Sequence, residues 1–122
     1  MVGEIELNLV VIRSADIDRA VAFYRLLGLE FDKHRHGKGA EHFACESGQA
    51  VFEIYPRRDA TDATASTRIG FRVAGVDQLL ERLEAAGATV ISATQDSPWG
   101  RRAVVTDPDG HRVELTEPKR AV

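Results

Sequence analysis

The stretch Leu9-Val-Val-Ile-Arg-Ser-Ala-Asp-Ile-Asp-Arg-Ala-Val-Ala-Phe-Tyr-Arg-Leu-Leu-Gly-Leu29 decides the fold once it is set against Arg68-Ile-Gly-Phe-Arg-Val-Ala-Gly-Val-Asp-Gln-Leu-Leu-Glu-Arg-Leu-Glu-Ala-Ala-Gly-Ala88. At an offset of 59 residues Asp18 falls on Asp77, Gly28 on Gly87, Ile17 on Val76 and Val21 on Leu80. Phe31 meets Val90 at the same offset. Further along, Phe52-Glu53-Ile54 resembles Val113-Glu114-Leu115 at an offset of 61, as a hairpin longer by two residues would produce. Self-similarity at a fixed period marks a repeated supersecondary unit.

Each unit reads as strand, helix, then three strands. Residues 4–12 alternate, with Ile5, Leu7, Leu9 and Val11 on one face and Glu4, Glu6 and Asn8 on the other. Asp16 is a helix N-cap. Behind it Ile17, Ala20, Val21, Tyr24 and Leu27 form an apolar stripe at helical spacing, and Gly28 stops the helix. Strands are then expected at 29–36, 41–45 and 50–55, with turns at Gly37, Gly39, Ser47 and Gly48. In the second unit the strands are expected at 68–74, 88–93, 102–106 and 112–116. Asp77 is the expected cap of a helix with Leu79, Leu80, Leu83 and Ala86 inward, ended by Gly87. Asp107-Pro108-Asp109-Gly110 is a turn, because proline fixes φ, aspartate bonds the local backbone and glycine permits positive φ. Residues 57–67 are small, polar and aperiodic, so they read as a linker between module 1 (residues 1–56) and module 2 (residues 68–122). Neither half has enough core to stand alone, so one domain spans residues 1–122.

Composition agrees with a single small globular unit. The chain has 122 residues, 43% hydrophobic and 29% charged, with net charge −3. It is not collagen-like, disordered or disulfide-rich. No apolar run reaches the roughly 18 residues of a membrane span, and no basic-then-apolar leader is visible. The single cysteine, Cys45, cannot close an internal disulfide and reads as a small buried side chain. A cytoplasmic setting is therefore expected, without membrane or nucleic-acid partners, since the latter call for a basic face.

Strand alternation locates a site. If Phe52 and Ile54 pack under the first helix, then Val51, Glu53 and Tyr55 lie on the opposite, open face. In the second unit Val113 and Leu115 pack inward and leave Arg112, Glu114 and Thr116 open. Ile69, Phe71 and Val73 likewise leave Arg68, Gly70 and Arg72 open. Repeated units normally pair about a local two-fold axis, so the repeat-equivalent positions to watch are Leu9, Glu53, Arg68 and Glu114.

The βαβββ–βαβββ order resembles that of the vicinal oxygen chelate superfamily, which includes glyoxalases, extradiol dioxygenases, epimerases and bleomycin-resistance proteins. The residues that carry the resemblance are Asp16 to Tyr24 running into Leu27-Gly28-Leu29, Ile69 to Val73, and Asp107 to Leu115. The resemblance implies an α+β fold of two βαβββ modules forming a curved mixed sheet with outer helices, usually assembled as a homodimer. It also implies, in the metal-using members, a divalent ion at four strand positions. Those take His or Glu on the first strand, Glu on the fourth, His on the fifth and Glu on the eighth. This chain keeps Glu53 and Glu114 but has Leu9 and Arg68 at the other two positions. Leucine has no donor atom, and arginine is a permanent cation that offers only donors. Two carboxylates beside a cation make a poor site for nickel, zinc, iron or manganese, so no metal or other cofactor is expected there. Arg68 is instead expected to bridge Glu53 and Glu114 through its guanidinium fork.

The function expected is a pocket binding a small organic molecule or antibiotic without the usual ion. The alternative is a metal-dependent or metal-independent lyase or isomerase related to lactoylglutathione lyase, with Glu53 or Glu114 as the base. An extradiol dioxygenase fits less, because both histidines that would face the iron are replaced. A module serving only as a structural or regulatory partner stays open too. Trp99, in Ser97-Pro98-Trp99-Gly100-Arg101, reads as a stacking platform at the pocket mouth, a segment the bleomycin-resistance-type members share. Tyr55, Arg72 and Phe43 are further candidate walls. His34 and His36 share a strand face among Lys33, Arg35 and Lys38 and read as a solvated basic hairpin. His111 reads as a structural residue after the turn.

Overall fold

A computed structural model describes residues 5–119. Each module builds its own four-stranded mixed sheet. In module 1 the order is β1 (Leu9–Ser14), β4 (Ala50–Pro56), β3 (His42–Ser47), β2 (Asp32–His34), with β1 parallel to β4 and the rest antiparallel. Module 2 repeats it as β5 (Arg68–Arg72), β8 (Arg112–Glu117), β7 (Gly100–Thr106), β6 (Thr89–Ser97). Helix α1 (Ile17–Leu26) crosses from β1 and α2 (Val76–Ala85) from β5, giving two βαβββ units in an α+β fold. Among the described residues no helix is long and apolar enough to cross a membrane.

Local sequence explains most element ends. The Asp16 side chain accepts from the backbone N–H of Arg19 at 3.1 Å and starts α1. Gly28 and Gly87 follow the two helices at φ +100° and +96°, a region open to glycine at little cost. The start of α2 differs from expectation: Gly75, not Asp77, is the N-cap, at φ +64°. Asp77 lies in the first turn, where its carboxylate accepts from Thr94 Oγ1 at 2.7 Å and from Arg101 Nε at 2.7 Å. It therefore ties α2 to β6 and β7 instead of closing the helix end.

Every strand shifts at one end or both, most at β1, β2 and β6. β1 begins at Leu9, and Glu4 lies outside the described residues. The inward face of β1 is Val10, Ile12 and Ser14, Leu9 (48% exposed) and Val11 lie on its outer side, and Ile5 (93%) and Leu7 (76%) are exposed in the segment before it. β2 shrinks to three residues, and β6 runs to Ser97 through two register shifts against β7. The linker is not wholly irregular. Asp59 and Asp62 form a reciprocal capping box around a single 3₁₀ turn, Ala60–Asp62.

The modules are joined by a shared core and not by strand pairing. Ile12, Phe52 and Ile54 from the first sheet, Val105, Val113 and Leu115 from the second, and the buried faces of both helices form one apolar cluster. Tyr24 is at its centre, with ring centroids 4.9 Å from Phe23, 5.0 Å from Phe52 and 6.0 Å from Phe71 of the other module. Both sheets thus turn their helix-covered sides toward this core. The open face of each sheet is the side away from it.

Candidate functional site

The register fixes which side chains share an open face. In the first sheet Val11, Glu53 and Ala44 form one row, and Arg13 and Tyr55 lie one row further along with His42. In the second sheet Gly70, Glu114 and Val104 form a row, flanked by Arg72, Thr116 and Arg102 on one side and by Arg68 and Arg112 on the other. The placement of Glu53, Glu114, Arg68, Arg72, Tyr55 and Leu9 on open faces follows from the period-2 alternation. Phe43 is the exception. It pairs with Ile54, is buried on the helix side and packs under Arg25 and Lys33. It belongs to the core and not to a pocket wall.

The two carboxylates have different surroundings. Glu114 is half-enclosed by arginine: Arg68 Nε lies 3.1 Å from one oxygen as an ion pair, and Arg102 donates to the other from Nε at 2.7 Å and through its terminal nitrogen. Charge-assisted fork geometry of this kind fixes a carboxylate and uses its acceptor capacity. Glu53 lies on the other sheet, and its partner is His42, with Nε2 3.6 Å from the carboxylate. Within one chain, then, the Arg68 fork reaches Glu114 and not Glu53. The expected bridge between the two carboxylates is not formed inside a single copy.

Sequence reasoning missed two members of the site. Arg102 was assigned only to a strand, although the alternation Arg102, Val104, Thr106 places it on the open face opposite Thr116. His42 was left without a role. It is a fully buried histidine on the open side of β3, and its ring stacks on Tyr55 at 4.0 Å and 8°. Arg13 lies over the Tyr55 ring at 5.1 Å. His34 and His36 extend the row, with centroids 5.9 and 5.4 Å from His42. The signal available was the pairing of His34 with His42 across the hairpin, which needs the register to be known. Arg72 and Trp99 are exposed; the Trp99 backbone N–H donates to Ser97 Oγ at 3.2 Å, which holds the hairpin tip but not the indole.

A second polar cluster closes the module interface. Asp107 Oδ2 accepts from the Tyr24 hydroxyl at 2.6 Å and faces His111 Nδ1 at 2.8 Å, while Oδ1 accepts from the backbone N–H groups of Asp109 and His111. The other ring nitrogen of His111 meets Thr64 Oγ1 at 2.6 Å, and that hydroxyl also accepts from the Arg13 N–H. Asp109 Oδ1 accepts from the Ala15 N–H at 2.8 Å. Burial alone would push the Asp107 carboxyl up, but the hydrogen bonds from His111 and Tyr24 outweigh it and hold it below its usual value. Burial, together with the Asp107 charge, raises the Tyr24 phenol. Asp107, Asp109 and His111 have the residue types of a metal site and lie close together. The oxygens of Asp107 and the nitrogens of His111 are, however, already engaged in tying the turn to α1 and the linker. The cluster is a structural clasp, and His111 is the structural residue expected of it. Beside it, a cavity of about 630 Å³ runs between the helices, lined by Arg19, Phe23, Leu83 and the 107–110 turn. It lies on the helix side, away from Glu53 and Glu114.

The fold and part of the sequence have known counterparts. A family model described as Glyoxalase/Bleomycin resistance protein/Dioxygenase superfamily matches residues 6–115. A protein of Vibrio parahaemolyticus serotype O3:K6 described as "Probable lactoylglutathione lyase" is 28% identical over 123 residues, covering 91% of this chain and 89% of its own. Among solved structures, TnmS3, an antibiotic binding protein from Streptomyces sp. CB03234, superposes with a TM-score of 0.75 at 24% identity, covering 98% of this chain and all of the other. TioX from Micromonospora sp. ML1 does so with a TM-score of 0.72 at 25% identity, covering 93% and 99%.

Proposed function

We propose, since the chain belongs to the glyoxalase/bleomycin resistance protein/dioxygenase superfamily, that it binds a small organic molecule of the antibiotic class between the open faces of its sheets, without an ion at the superfamily's four ligand positions. The observation that carries this reading is the state of those positions. Leu9 offers no donor, one oxygen of Glu114 accepts from Arg102, and the other is ion-paired with Arg68. An ion at Glu114 would have to displace two guanidinium groups and then sit beside their charge. The residues present do not fit the metal centre.

The cavity is completed by a second copy. Glu53 and Glu114 lie on different sheets with different partners, and the proposed arrangement brings them together by setting the first sheet of one protomer against the second sheet of its partner. The exposed Leu9 and Val11 of β1, with Ile5 and Leu7 exposed in the segment before it, support such a homodimer, since exposed apolar surface on a small protein marks an association surface. In that arrangement the Arg68 fork of one copy approaches Glu53 of the other. Tyr55, Arg72 and Trp99 then supply wall, anchor and stacking platform. The antibiotic-binding protein of like fold sets the ligand class proposed.

The test is calorimetric titration of EDTA-treated protein with a panel of aromatic and glycopeptide antibiotics, beginning with bleomycin, while Trp99 fluorescence is followed. We expect saturable binding with quenching, weakened by Arg72→Ala. Stoichiometric nickel, zinc, iron or manganese that is lost on Glu114→Gln would overturn the reading. A second reading, proton transfer by Glu53 in a lyase or isomerase, is favoured by one observation: no arginine of its own chain pairs with Glu53 among the described residues. Its check is turnover of a hemithioacetal, abolished by Glu53→Gln.

A further inference from the structure

The geometry points to an oxyanion subsite on the open face of the second sheet, built by Arg68 and Arg102 and flanked by Arg72 and Arg112. The ligand it takes carries a phosphonate, phosphate or carboxylate group. This deepens the reading above and rests on it in one respect, that this face lines the cavity for the ligand.

Three observations lead there. First, charge is segregated. The whole chain carries −3, yet the rows of this face bring Arg68, Arg72, Arg102 and Arg112 together around a single carboxylate, Glu114. Four cations against one anion leave three positive charges on one side of the sheet. Neighbouring acids do not offset them. Asp77 and Asp96 pair with Arg101, and Glu117 accepts from the Val76 N–H at the start of α2. A surface of one sign concentrates ligands of the other.

Second, two of the four guanidinium groups are already gathered. Arg68 Nε lies 3.1 Å from one oxygen of Glu114, and Arg102 donates to the other from Nε at 2.7 Å and through one terminal nitrogen. The carboxylate holds the two cations close together but neutralises only one of their charges. A guanidinium carries five N–H donors. The remaining terminal donors of both arginines have no hydrogen-bond partner among the described residues. Paired forks held in place are the arrangement that recognises a carboxylate or phosphate.

Third, the face has room where a ligand group is needed. Gly70 shares the row of Glu114 between Arg68 and Arg72, and a Cβ added there would meet nothing closer than the Glu114 Cβ at 3.8 Å. Val104, on the other side of Glu114, is 1% exposed although it is outside the core cluster, so side chains standing on this face cover it. Arg72 and Arg112 are exposed and have no ion-pair partner among the described residues. If a second copy brings its Glu53 to Arg68, one more charge is offset and two remain. A neutral or cationic ligand gains nothing from these groups and would have to desolvate them unpaired.

The experiment is an NMR titration of the ¹⁵N-labelled full chain at about 150 mM salt, followed at the arginine Nε–H signals and the amides of β5 and β8. The probes are phenylphosphonate and benzoate, with benzyl alcohol and benzylamine as matched neutral and cationic compounds. We expect saturable shifts with at least one of the two acids, at an affinity at least about tenfold above benzyl alcohol, the scale of one charge-assisted hydrogen bond. Arg68→Gln with Arg102→Gln should weaken acid binding at least about tenfold. Arg72→Gln and Arg112→Gln, at exposed positions where folding is not at risk, should each weaken it about threefold, the scale of an exposed ion pair. Arg101→Gln removes the same charge from the helix side and should leave it unchanged. Acids that bind no tighter than benzyl alcohol overturn the proposal. So does an equal loss with Arg101→Gln, which would mean attraction by net charge alone. Antibiotic binding without acid binding overturns the subsite and leaves the reading above in place. Acid binding lost with the face variants, in a chain that takes no antibiotic, upholds the subsite and overturns the antibiotic class.

Discussion

Replacing Tyr24 by phenylalanine removes one oxygen atom from the centre of the molecule. The ring keeps its edge contacts with Phe23 and Phe52 and its approach to Phe71. What is lost is the 2.6 Å bond donated to Asp107 Oδ2, between two groups that water does not reach. A hydrogen bond to a charged group contributes about 1.5–3 kcal/mol. Asp107 Oδ2 still faces His111 Nδ1 at 2.8 Å, so the carboxylate is not orphaned and the upper end is not reached. We expect a loss of about 2 kcal/mol at pH 7. For a domain of this size that is a fall in Tm of about 6–10 °C. Urea unfolding followed by circular dichroism measures it, with an unchanged slope, because the buried area is the same. The loss should also depend on pH. Asp107 is held below its usual value in the folded state, so its contribution is present above the unfolded value of about 3.9 and disappears as pH falls through the folded one. The gap between wild type and variant should therefore begin to close as pH falls below about 4 and vanish only below the folded value. A cost under about 0.5 kcal/mol, within the range of an ordinary surface change, or a cost that stays constant from pH 7 to pH 3, would refute the clasp.

Further outcomes follow from other parts of the structure. Sedimentation should find the wild-type chain dimeric at micromolar concentration. Val11→Lys, on the outward side of β1, should shift it to monomer with little change in the unfolding midpoint extrapolated to low concentration. A monomeric wild type would remove the two-copy cavity. Gly100→Ala should destabilise the chain by at least about 2 kcal/mol. Gly100 has φ +135°, and an added Cβ would lie 2.2 Å from the Glu117 carbonyl oxygen. A loss below about 1 kcal/mol would mean that the β6–β7 hairpin is free to move away. Leu83→Ala, at a fully buried position between the helices, should cost about 2–5 kcal/mol in the same assay.

Much of the site was legible because strands alternate. Once Phe52 and Ile54, or Val113 and Leu115, are assigned inward, Glu53 and Glu114 must be outward, and nothing in the fold alters that. The errors came where alternation alone does not decide. Alternation within one strand does not say which face of β3 is covered, so the sequence makes Phe43 a candidate wall; its pairing with Ile54 puts it on the helix side. Asp77 carries the residue type of a cap, but Gly75 closes the helix, and the carboxylate is drawn to Arg101 across 24 residues. His42 looked like any polar residue after a glycine turn. Its significance depends on Tyr55 beneath it, Glu53 beside it and the Ala40 carbonyl behind it, which come from different segments of the chain.

The sequence by itself determined the repeat, the βαβββ order, the family and the loss of donors at Leu9 and Arg68. These are properties of residue type and short-range period, which need no knowledge of how distant segments meet. Only the tertiary structure decided how the modules are arranged. Their helix-covered sides fuse through Tyr24, Phe52 and Phe71, so the carboxylates that the repeat makes equivalent lie on separate sheets, each on the side away from that core. It also decided which charges pair, giving Arg68 and Arg102 to Glu114 and leaving His42 to Glu53. The physical reason is the same in both cases. A period specifies which face of an element is apolar, but the partner that covers that face, and the charge that meets its edge, are chosen by packing among residues far apart in the chain.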